Sequence, residues 1–269
     1  MIYLFDGSYY GFLTAIFESF ERRHFEVKIF EEKNYVPSFF EETFGVITDI
    51  SKAERVLKGL KARLKRDKIE DVYKVFLSEN TEAWESLFYI IQKVFQNQSE
   101  ILQNFADAHV MTFDKTLTKV NRERHRMKAF IRFQKASDGS FYAIIEPDFN
   151  VLPLILKFFK TRYADQKWLI YDVKRKYGMY YDLLNIHEVI LSKSEENSLV
   201  KSQDVITIDE KEEHFQTLWQ RYYKSTNIEA RRNMKLHLQH VPRRYWKYLT
   251  EKINEKPPTN RFRYEPHDG

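Results

Sequence analysis

The feature that most constrains the fold is a pair of hairpin patterns in the middle of the chain. Residues 129–134 and 141–145 are two runs rich in aromatic and β-branched side chains, and an Asp-Gly step at 138–139 lies between them. Residues 168–172 and 179–182 form a second such pair around a short basic turn. Such runs on either side of a turn are typical of β-hairpins. We therefore expect two antiparallel hairpins in one sheet.

A helix is predicted between the two hairpins. Pro147 ends the second strand, because proline cannot donate to a strand ladder. Beyond it, apolar side chains repeat at helical spacing, namely Leu152, Ile155, Leu156, Phe159 and Tyr163. The stretch 120–182 therefore predicts an α+β fold, in which an antiparallel sheet built from two hairpins joined by a helix is flanked by many helices. The joining helix should cover one face of the sheet.

The N-terminal residues predict a smaller unit of strand, helix and strand. Ile2–Phe5 is a short apolar run, and Ser8 can cap the helix that follows it. A second apolar run at 27–30 completes the unit, and its short links favour a right-handed parallel crossover. Asp6, Gly7 and Ser8 are interpreted as a turn and a helix cap in preference to a ligand-binding turn.

Two domains and a tail are predicted along the chain. The first domain is 1–80, with the strand-helix-strand unit and further helices, and the second is 81–253, with the central sheet and the C-terminal helices. Residues 254–269 form the tail. Ser51 and Thr81 are expected to cap helices. Helices are predicted at 51–66, 70–77, 111–127, 210–223, 233–240 and 242–253, and a further helix is predicted to begin at residue 81. Two further short strands are predicted at 186–191 and 205–208.

Composition excludes several classes of site. The chain has 0 Cys, so it can hold no disulfide, thiolate nucleophile, cysteine zinc site or iron–sulfur cluster. Its 7 glycines form neither a P-loop nor a G-x-G-x-x-G pattern. We expect no cofactor. The first residues do not resemble a signal peptide, and no apolar run of about twenty residues could span a membrane, so a cytoplasmic location is expected.

Positive charge is concentrated in two places. Lys+Arg 44 against Asp+Glu 39 gives a net charge of only +5. Seven cations nevertheless lie between Lys115 and Arg132, with Asp114 and Glu123 as the nearby carboxylates. A second cluster lies between Arg231 and Lys247. These clusters are interpreted either as solvated surfaces or as surfaces that follow a phosphate backbone, with rings nearby to stack bases.

Other polar residues give weaker signals. His237 and His240 have metal-ligand spacing, but a structural or exposed pair is the favoured interpretation. His125 stands among arginines, where a hydrogen-bonding role is favoured over that of a general base. Asp172 and Asp182 each end a strand. They form either a carboxylate pair at one sheet edge or separate ion pairs with Arg162 or Arg175, and the ion pairs are favoured.

Short motifs spread over nearly the whole chain, up to about residue 251, carry a resemblance to a known family. The chain resembles the bacterial family described as "probable DNA metabolism protein", a domain of unknown function. The matching motifs are LFDGS at 4–8, GFLTAIF at 11–17, R-E-x-H-R at 122–126, F-x-R-F at 130–133, PD at 147–148, F-x-x-R at 159–162, W-x-I-Y-D-x-x-R at 168–175, LW at 218–219, NI at 227–228, R-x-N at 231–233 and P-x-R-Y-W at 242–246.

The resemblance implies a role in DNA metabolism. Proteins of that family are encoded beside a radical-SAM protein of DNA modification or repair, and a similar domain occurs fused to uracil-DNA-glycosylase-like domains. The family supplies no reaction and no catalytic residues. Because this chain lacks cysteine, a radical-SAM cluster would belong to its partner.

Three hypotheses follow for function. The first is a DNA-associated accessory protein whose arginines contact phosphates or a flipped nucleotide. The second is a metal-independent enzyme on nucleic acid, with His125 and Asp172 as acid/base candidates. The third is a protein-interaction subunit whose arginines hold its own fold together by ion pairs. The arginines concerned are Arg122, Arg124, Arg126, Arg132, Arg162, Arg175, Arg231 and Arg244.

Overall fold

A computed structural model describes residues 1–37, 41–98, 100–136, 139–191 and 241–249. The chain divides into two compact units. Unit 1 comprises Met1–Met127 and Pro147–Ile155, and unit 2 comprises Lys128–Glu146 and Leu156–Gly269. The predicted division after residue 80 stays a prediction. No described helix is long and apolar enough to cross a membrane.

Unit 1 contains a three-stranded parallel sheet. Strand β1 (Ile2–Phe5) lies at its centre, with β2 (Lys28–Glu31) on one side and β3 (Thr43–Gly45) on the other. Tyr3 pairs with Ile29 of β2 and with Phe44 of β3. The predicted parallel strand-helix-strand unit is confirmed. Strand β3 falls in a stretch without a sequence pattern, because three residues are too few to show alternation.

The first helix, α1 (Tyr9–Glu21), starts where its cap predicts. The Gly11 N–H donates to the Ser8 Oγ at 2.9 Å, which satisfies one of the amides that a helix start leaves without a partner. Phe12, Leu13 and Ile16 form its buried face against the sheet. The interpretation of residues 6–8 as a turn and cap is therefore confirmed.

Further helices complete unit 1. They are α2 (Ile50–Lys61), α3 (Arg66–Phe76), α4 (Thr81–Phe95) and α5 (Ala108–Phe130), whose last three residues belong to unit 2. Short 3-10 turns lie at Glu32–Asn34 and Ile101–Gln103. The predicted caps Ser51 and Thr81 are wrong, because Asp49 and Asn80 accept the capping N–H groups. The predicted helix 51–66 ends early at Lys61, and α3 begins before the predicted residue 70.

Aromatic rings form much of the core of unit 1. Trp84 of α4 stacks on Phe76 of α3 at a centroid distance of 5.7 Å and donates its indole N–H to the Phe76 carbonyl. Trp84 also contacts Phe5 of β1 edge to face, and Phe12 of α1 meets Phe88 of α4. Each ring buries a large apolar area, so these contacts join the sheet to α1, α3 and α4.

Unit 2 contains a five-stranded sheet whose strands lie side by side in the order in which they occur along the chain. Its strands are β4 (Gln134–Lys135), β5 (Phe141–Ile145), β6 (Trp168–Asp172), β7 (Tyr177–Tyr181) and β8 (Ile186–Val189). The β5–β6 pair is parallel and the other pairs are antiparallel. The predicted α+β fold and the placement of both hairpins in one sheet are confirmed. The sheet is mixed because the joining helix α6 (Leu152–Arg162) carries the chain back to the end of the sheet at which β5 begins, so that β6 runs parallel to β5.

The first predicted hairpin is much shorter than expected. Residues 129 and 130 belong to α5, residues 131–133 have no regular structure, and only Gln134 and Lys135 pair with β5. The good helix formers Lys128 and Ala129 let α5 continue where the aromatic pattern predicted a strand. The Phe130 ring lies on the Tyr245 ring at 5.5 Å, and Phe133 meets Phe159 of α6 at 5.6 Å. Packing of these rings replaces strand pairing.

The last described residues form a 3-10 helix, Arg243–Tyr248, where an α-helix was predicted from 242 to 253. Tyr245, Trp246 and Leu249 are buried. The strand predicted at 205–208, the helices predicted at 210–223 and 233–240, and the tail lie outside the described residues.

Candidate nucleic-acid interface

The helix α5 carries buried apolar side chains on one side and cations on another. Its buried side chains include Phe113, Val120 and Met127. A row of cations runs along a different face and comprises Lys115, Lys119, Arg122 and Arg126, which we call the α5 stripe. Spacings of four, three and four residues keep side chains on one helical face, because a turn contains about 3.6 residues.

Three of the four stripe side chains lie open to solvent. Lys115, Lys119 and Arg122 are exposed, and none forms an ion pair with any residue that the structure describes. Asp114 precedes Lys115 by one residue and therefore lies roughly 100° around the helix from it. Lys115, Lys119 and Arg122 thus form a line of positive charge that no described carboxylate neutralises by an ion pair.

Arg126 is held more closely than the other three. Its Nη1 lies 3.9 Å from the Glu123 Oε2, and its side chain is only 19% exposed. Glu123 is buried, at 2% exposure, and its other carboxylate oxygen accepts the Asp148 N–H at 2.9 Å. Arg126 therefore helps to balance a buried carboxylate, which is the fold-supporting role that the third hypothesis gave to arginines.

The two remaining polar candidates on α5 lie off the stripe. Arg124 is half-buried and His125 is exposed. Arg124 follows Arg122 by two residues and therefore lies roughly 160° around the helix from it. His125 is three residues after Arg122, which places it at the margin of the stripe.

The candidate arginines of unit 2 are engaged with nearby groups. Arg132 donates to the Ala129 and Ile131 carbonyls at 2.7 and 3.3 Å, where α5 ends. The Arg162 guanidinium lies 5.8 Å from the Tyr163 ring centroid. Arg244 lies 4.6 Å from the Tyr245 ring centroid and donates to its hydroxyl at 2.6 Å. Arg162 and Arg244 are exposed, whereas Arg132 is half-buried. Arg231, His237 and His240 lie outside the described residues.

Asp172 and Arg175 form the predicted ion pair. The Arg175 Nη1 lies 2.8 Å from the Asp172 Oδ2, and the Lys174 and Arg175 N–H groups donate to Oδ1 at 3.0 and 3.2 Å. Asp172 is fully buried. Burial raises the pKa of its carboxyl, and the Arg175 guanidinium opposes that rise. The pair closes the turn between β6 and β7, which gives Asp172 a structural role and no exposure to a substrate.

The alternative of a carboxylate pair between Asp172 and Asp182 is wrong. Asp172 pairs with Tyr177 at the turn, whereas Asp182 follows the far end of the hairpin, where Trp168 pairs with Tyr181. The Asp182 carboxylate accepts the Leu184 and Asn185 N–H groups and meets His187 at 2.9 Å, in place of the expected arginine. These bonds, the one from Asn185 first, hold the pKa of Asp182 well below its ordinary value.

A second polar cluster in unit 2 had no sequence signal. Glu146 follows β5, and its Oε2 accepts hydrogen bonds from Lys247 and, at 2.7 Å, from the Tyr248 hydroxyl. Lys247 and then Tyr248 lower the pKa of Glu146, while burial and then Glu146 raise that of Tyr248. The tyrosine is therefore kept protonated. The cluster anchors the 3-10 helix to the end of β5.

One serine–histidine contact resembles part of a catalytic dyad. The His109 Nδ1 lies 3.2 Å from the Ser86 Oγ, and the imidazole stacks on the Tyr89 ring at 4.2 Å. Ser86 lies within α4 and is buried, so no substrate carbonyl can reach its hydroxyl. The contact joins α4 to the start of α5. Among the described residues there is also no group of three histidine, aspartate or glutamate side chains arranged to hold a metal.

Comparison with known proteins gives one family match. A family described as a domain of unknown function, DUF4130, matches residues 81–251. The matched stretch contains α4, α5 and the whole sheet of unit 2. No curated protein and no solved structure matches the chain. Because the match spans more than half of the 269 residues, the chain belongs to the DUF4130 family.

Proposed function

We propose that this protein is a cytoplasmic, DNA-associated accessory protein that binds nucleic acid for a radical-SAM or glycosylase-type partner in DNA repair or modification. The observation that carries the nucleic-acid part is the α5 stripe. Lys115, Lys119 and Arg122 are exposed, share one helical face and make no ion pair with the described residues. Side chains in that state are available to phosphates.

Release of counterions would supply the free energy of this binding. A nucleic acid holds a condensed layer of cations, and each phosphate neutralised by a lysine or arginine releases one of them to solution. Lys115, Lys119 and Arg122 have no carboxylate partner among the described residues, so they can make this exchange without breaking an ion pair seen there. Arg126 and Arg175 would each first have to leave a buried carboxylate, so they contribute less to such binding.

The choice of DNA and of the partner rests on the resemblance of the motifs to the DNA-metabolism family. A radical-SAM partner would have to supply the iron–sulfur cluster, because this chain has 0 Cys. The described residues do not favour the enzyme hypothesis, since Asp172 is buried in an ion pair. The third hypothesis gains support from the ion pairs of Arg126 and Arg175.

The test is a salt titration of binding to a DNA duplex and to a single strand. The triple variant K115Q/K119Q/R122Q removes the exposed part of the stripe. On duplex, each lost phosphate contact should reduce the slope of log affinity against log salt by roughly 0.9, and on a single strand by roughly 0.7. We expect the variant to retain the wild-type melting temperature, because none of the three side chains has a partner among the described residues.

A matched control removes the same charge elsewhere in unit 1. Lys58, Lys61 and Lys65 are also exposed and make no ion pair with the described residues. The variant K58Q/K61Q/K65Q should keep the wild-type slope. Equal slopes for the wild type and the stripe variant, or an equal loss in both variants, would refute the stripe as the interface.

A further inference from the structure

We infer that the α5 stripe recognises the sugar–phosphate backbone and does not read base sequence. The inference rests on the proposed nucleic-acid function and specifies the class of ligand at that surface. It applies to the surface formed by Lys115, Lys119, Arg122 and Arg126.

The chemistry of the face suits phosphates. Asparagine and glutamine read adenine in the major groove with two hydrogen bonds, and arginine or lysine reads guanine in the same groove. The helix α5 contains a single amide side chain, Asn121. Its Oδ1 is buried and has no hydrogen-bond partner among the described residues, so this oxygen is not presented to a base. The exposed positions of the stripe hold two lysines, which act as point charges, and one arginine.

The geometry of the stripe fits one line of phosphates. Eleven residues separate Lys115 from Arg126, which corresponds to about 16 Å along the helix at 1.5 Å per residue. The four positions fall within roughly 60° of the helical circumference. In a helix that reads the major groove, side chains facing the bases would occupy this central face. Here cations occupy the centre of the face.

The stripe also lacks a stacking platform. Proteins that hold unpaired bases stack them on aromatic side chains. Phe113 and Phe130 are the aromatic residues of α5 apart from His109 and His125; Phe113 is buried, and the Phe130 ring packs on Tyr245. Contact through this face therefore requires no unpaired base, and duplexes of any sequence should bind alike.

The experiment compares the full-length protein on two DNA duplexes of equal length and equal base composition but scrambled order, at one salt concentration. We expect dissociation constants within about twofold of each other, since phosphate contacts carry no sequence information. The variant K115Q/K119Q/R122Q should weaken binding to both duplexes by the same factor. A sequence preference of about tenfold or more that disappears in the variant would overturn the inference, because one bidentate base contact discriminates by about that factor.

A single conservative substitution provides a second readout. Arg122→Lys keeps the positive charge but removes the planar pair of donors. A backbone contact should tolerate this change within about twofold, whereas a bidentate base contact should lose about tenfold on one duplex only. If neither duplex binds the wild-type protein at low salt, the proposed function itself fails, and this outcome is distinct from binding with sequence preference.

Discussion

Arg122 and Arg175 show how differently one type of side chain is used in this protein. Arg122 is exposed on α5, whereas the Arg175 side chain is buried at 8% exposure and bonded to a fully buried carboxylate. Arginine suits both roles because its guanidinium is always charged and is less strongly hydrated than an ammonium group. Arg126 is intermediate in exposure, at 19%, and lies beside the buried Glu123 carboxylate. Comparing it with Arg122 therefore separates the two roles experimentally.

The first prediction compares two arginines one helical turn apart. Arg126→Gln should lower the free energy of unfolding by about 1–3 kcal/mol, because the buried Glu123 carboxylate loses the cation beside it. Arg122→Gln should leave stability within about 0.5 kcal/mol of wild type, as is usual for exposed positions. Urea denaturation of both variants measures the difference. Equal losses in the two variants would show that the distinction between them is wrong.

The second prediction concerns the turn between β1 and α1. Gly7 has φ +83, and an added Cβ there would overlap the Glu31 carboxylate. Gly7→Ala should therefore lower the free energy of unfolding by at least about 1–2 kcal/mol, the cost of a left-handed backbone for an L-residue. Gly45→Ala is the matched control, since a Cβ at Gly45 meets nothing within 4 Å. Thermal melting should show a clear loss for the first variant and little change for the second.

At the scale of elements, the 3-10 helix Arg243–Tyr248 illustrates a long-range anchor. Its buried side chains Tyr245 and Trp246 supply apolar area, and Glu146 fixes it through Lys247 and Tyr248. More than a hundred residues separate the partners of these hydrogen bonds in sequence. The anchor belongs to the sheet of unit 2, because Glu146 directly follows β5.

The third prediction uses the ionisation of that anchor. The lowered pKa of Glu146 means that its contribution to stability is present above the ordinary glutamate pKa and is lost as the pH falls through the folded value. The Lys247 and Glu146 side chains are 60% and 39% exposed, so solvent screens the interaction to roughly 1 kcal/mol or less. Glu146→Gln should be less stable than wild type at pH 7 and nearly equal to it at about pH 3.

The measurement for this prediction is urea denaturation at both pH values. Tyr248→Phe serves as the comparison, since it removes one hydrogen bond to Glu146 and keeps the carboxylate. A stability difference between Glu146→Gln and wild type that does not change with pH would contradict the assignment.

At the scale of the whole molecule, the core of unit 1 contains residues that precede residue 80 in the sequence and residues that follow it. Phe5 and Phe12 pack with Trp84 and Phe88 of α4, which lies inside the stretch matched by the family. The apolar face of α4 is therefore covered largely by residues that precede that stretch.

The fourth prediction follows from this shared core. A fragment of residues 81–251 should expose the α4 face and should not melt cooperatively as a monomer, because apolar surface of this kind promotes association. Size-exclusion chromatography and circular dichroism of the fragment beside the full chain test this. A monomeric fragment with its own cooperative transition would instead support the predicted domain boundary after residue 80.

Elements whose signals are local could be predicted from the sequence. The helical spacing of the apolar residues Phe12 and Ile16, together with the Ser8 hydroxyl, predicts α1. The two strand-like runs on either side of the turn at 174–178 predict the β6–β7 hairpin. The spacing of Lys115 and Lys119, and that of Arg122 and Arg126, likewise predicts that each pair shares one face of a helix. In each case the residues that decide the outcome lie within a few turns or one hairpin of each other, so their pattern is visible along the chain.

Only the tertiary structure decided the features that depend on distant partners. The shortening of β4 follows from α5 continuing to Phe130, whose ring packs on Tyr245. The anchor of Glu146 and the pairing of β3 with β1 likewise join segments far apart in sequence. The sequence alone determined which residues are cations and where they stand on α5; folding decided which of them face solvent and which balance a buried carboxylate, because burial is a property of the packed chain and not of its local pattern.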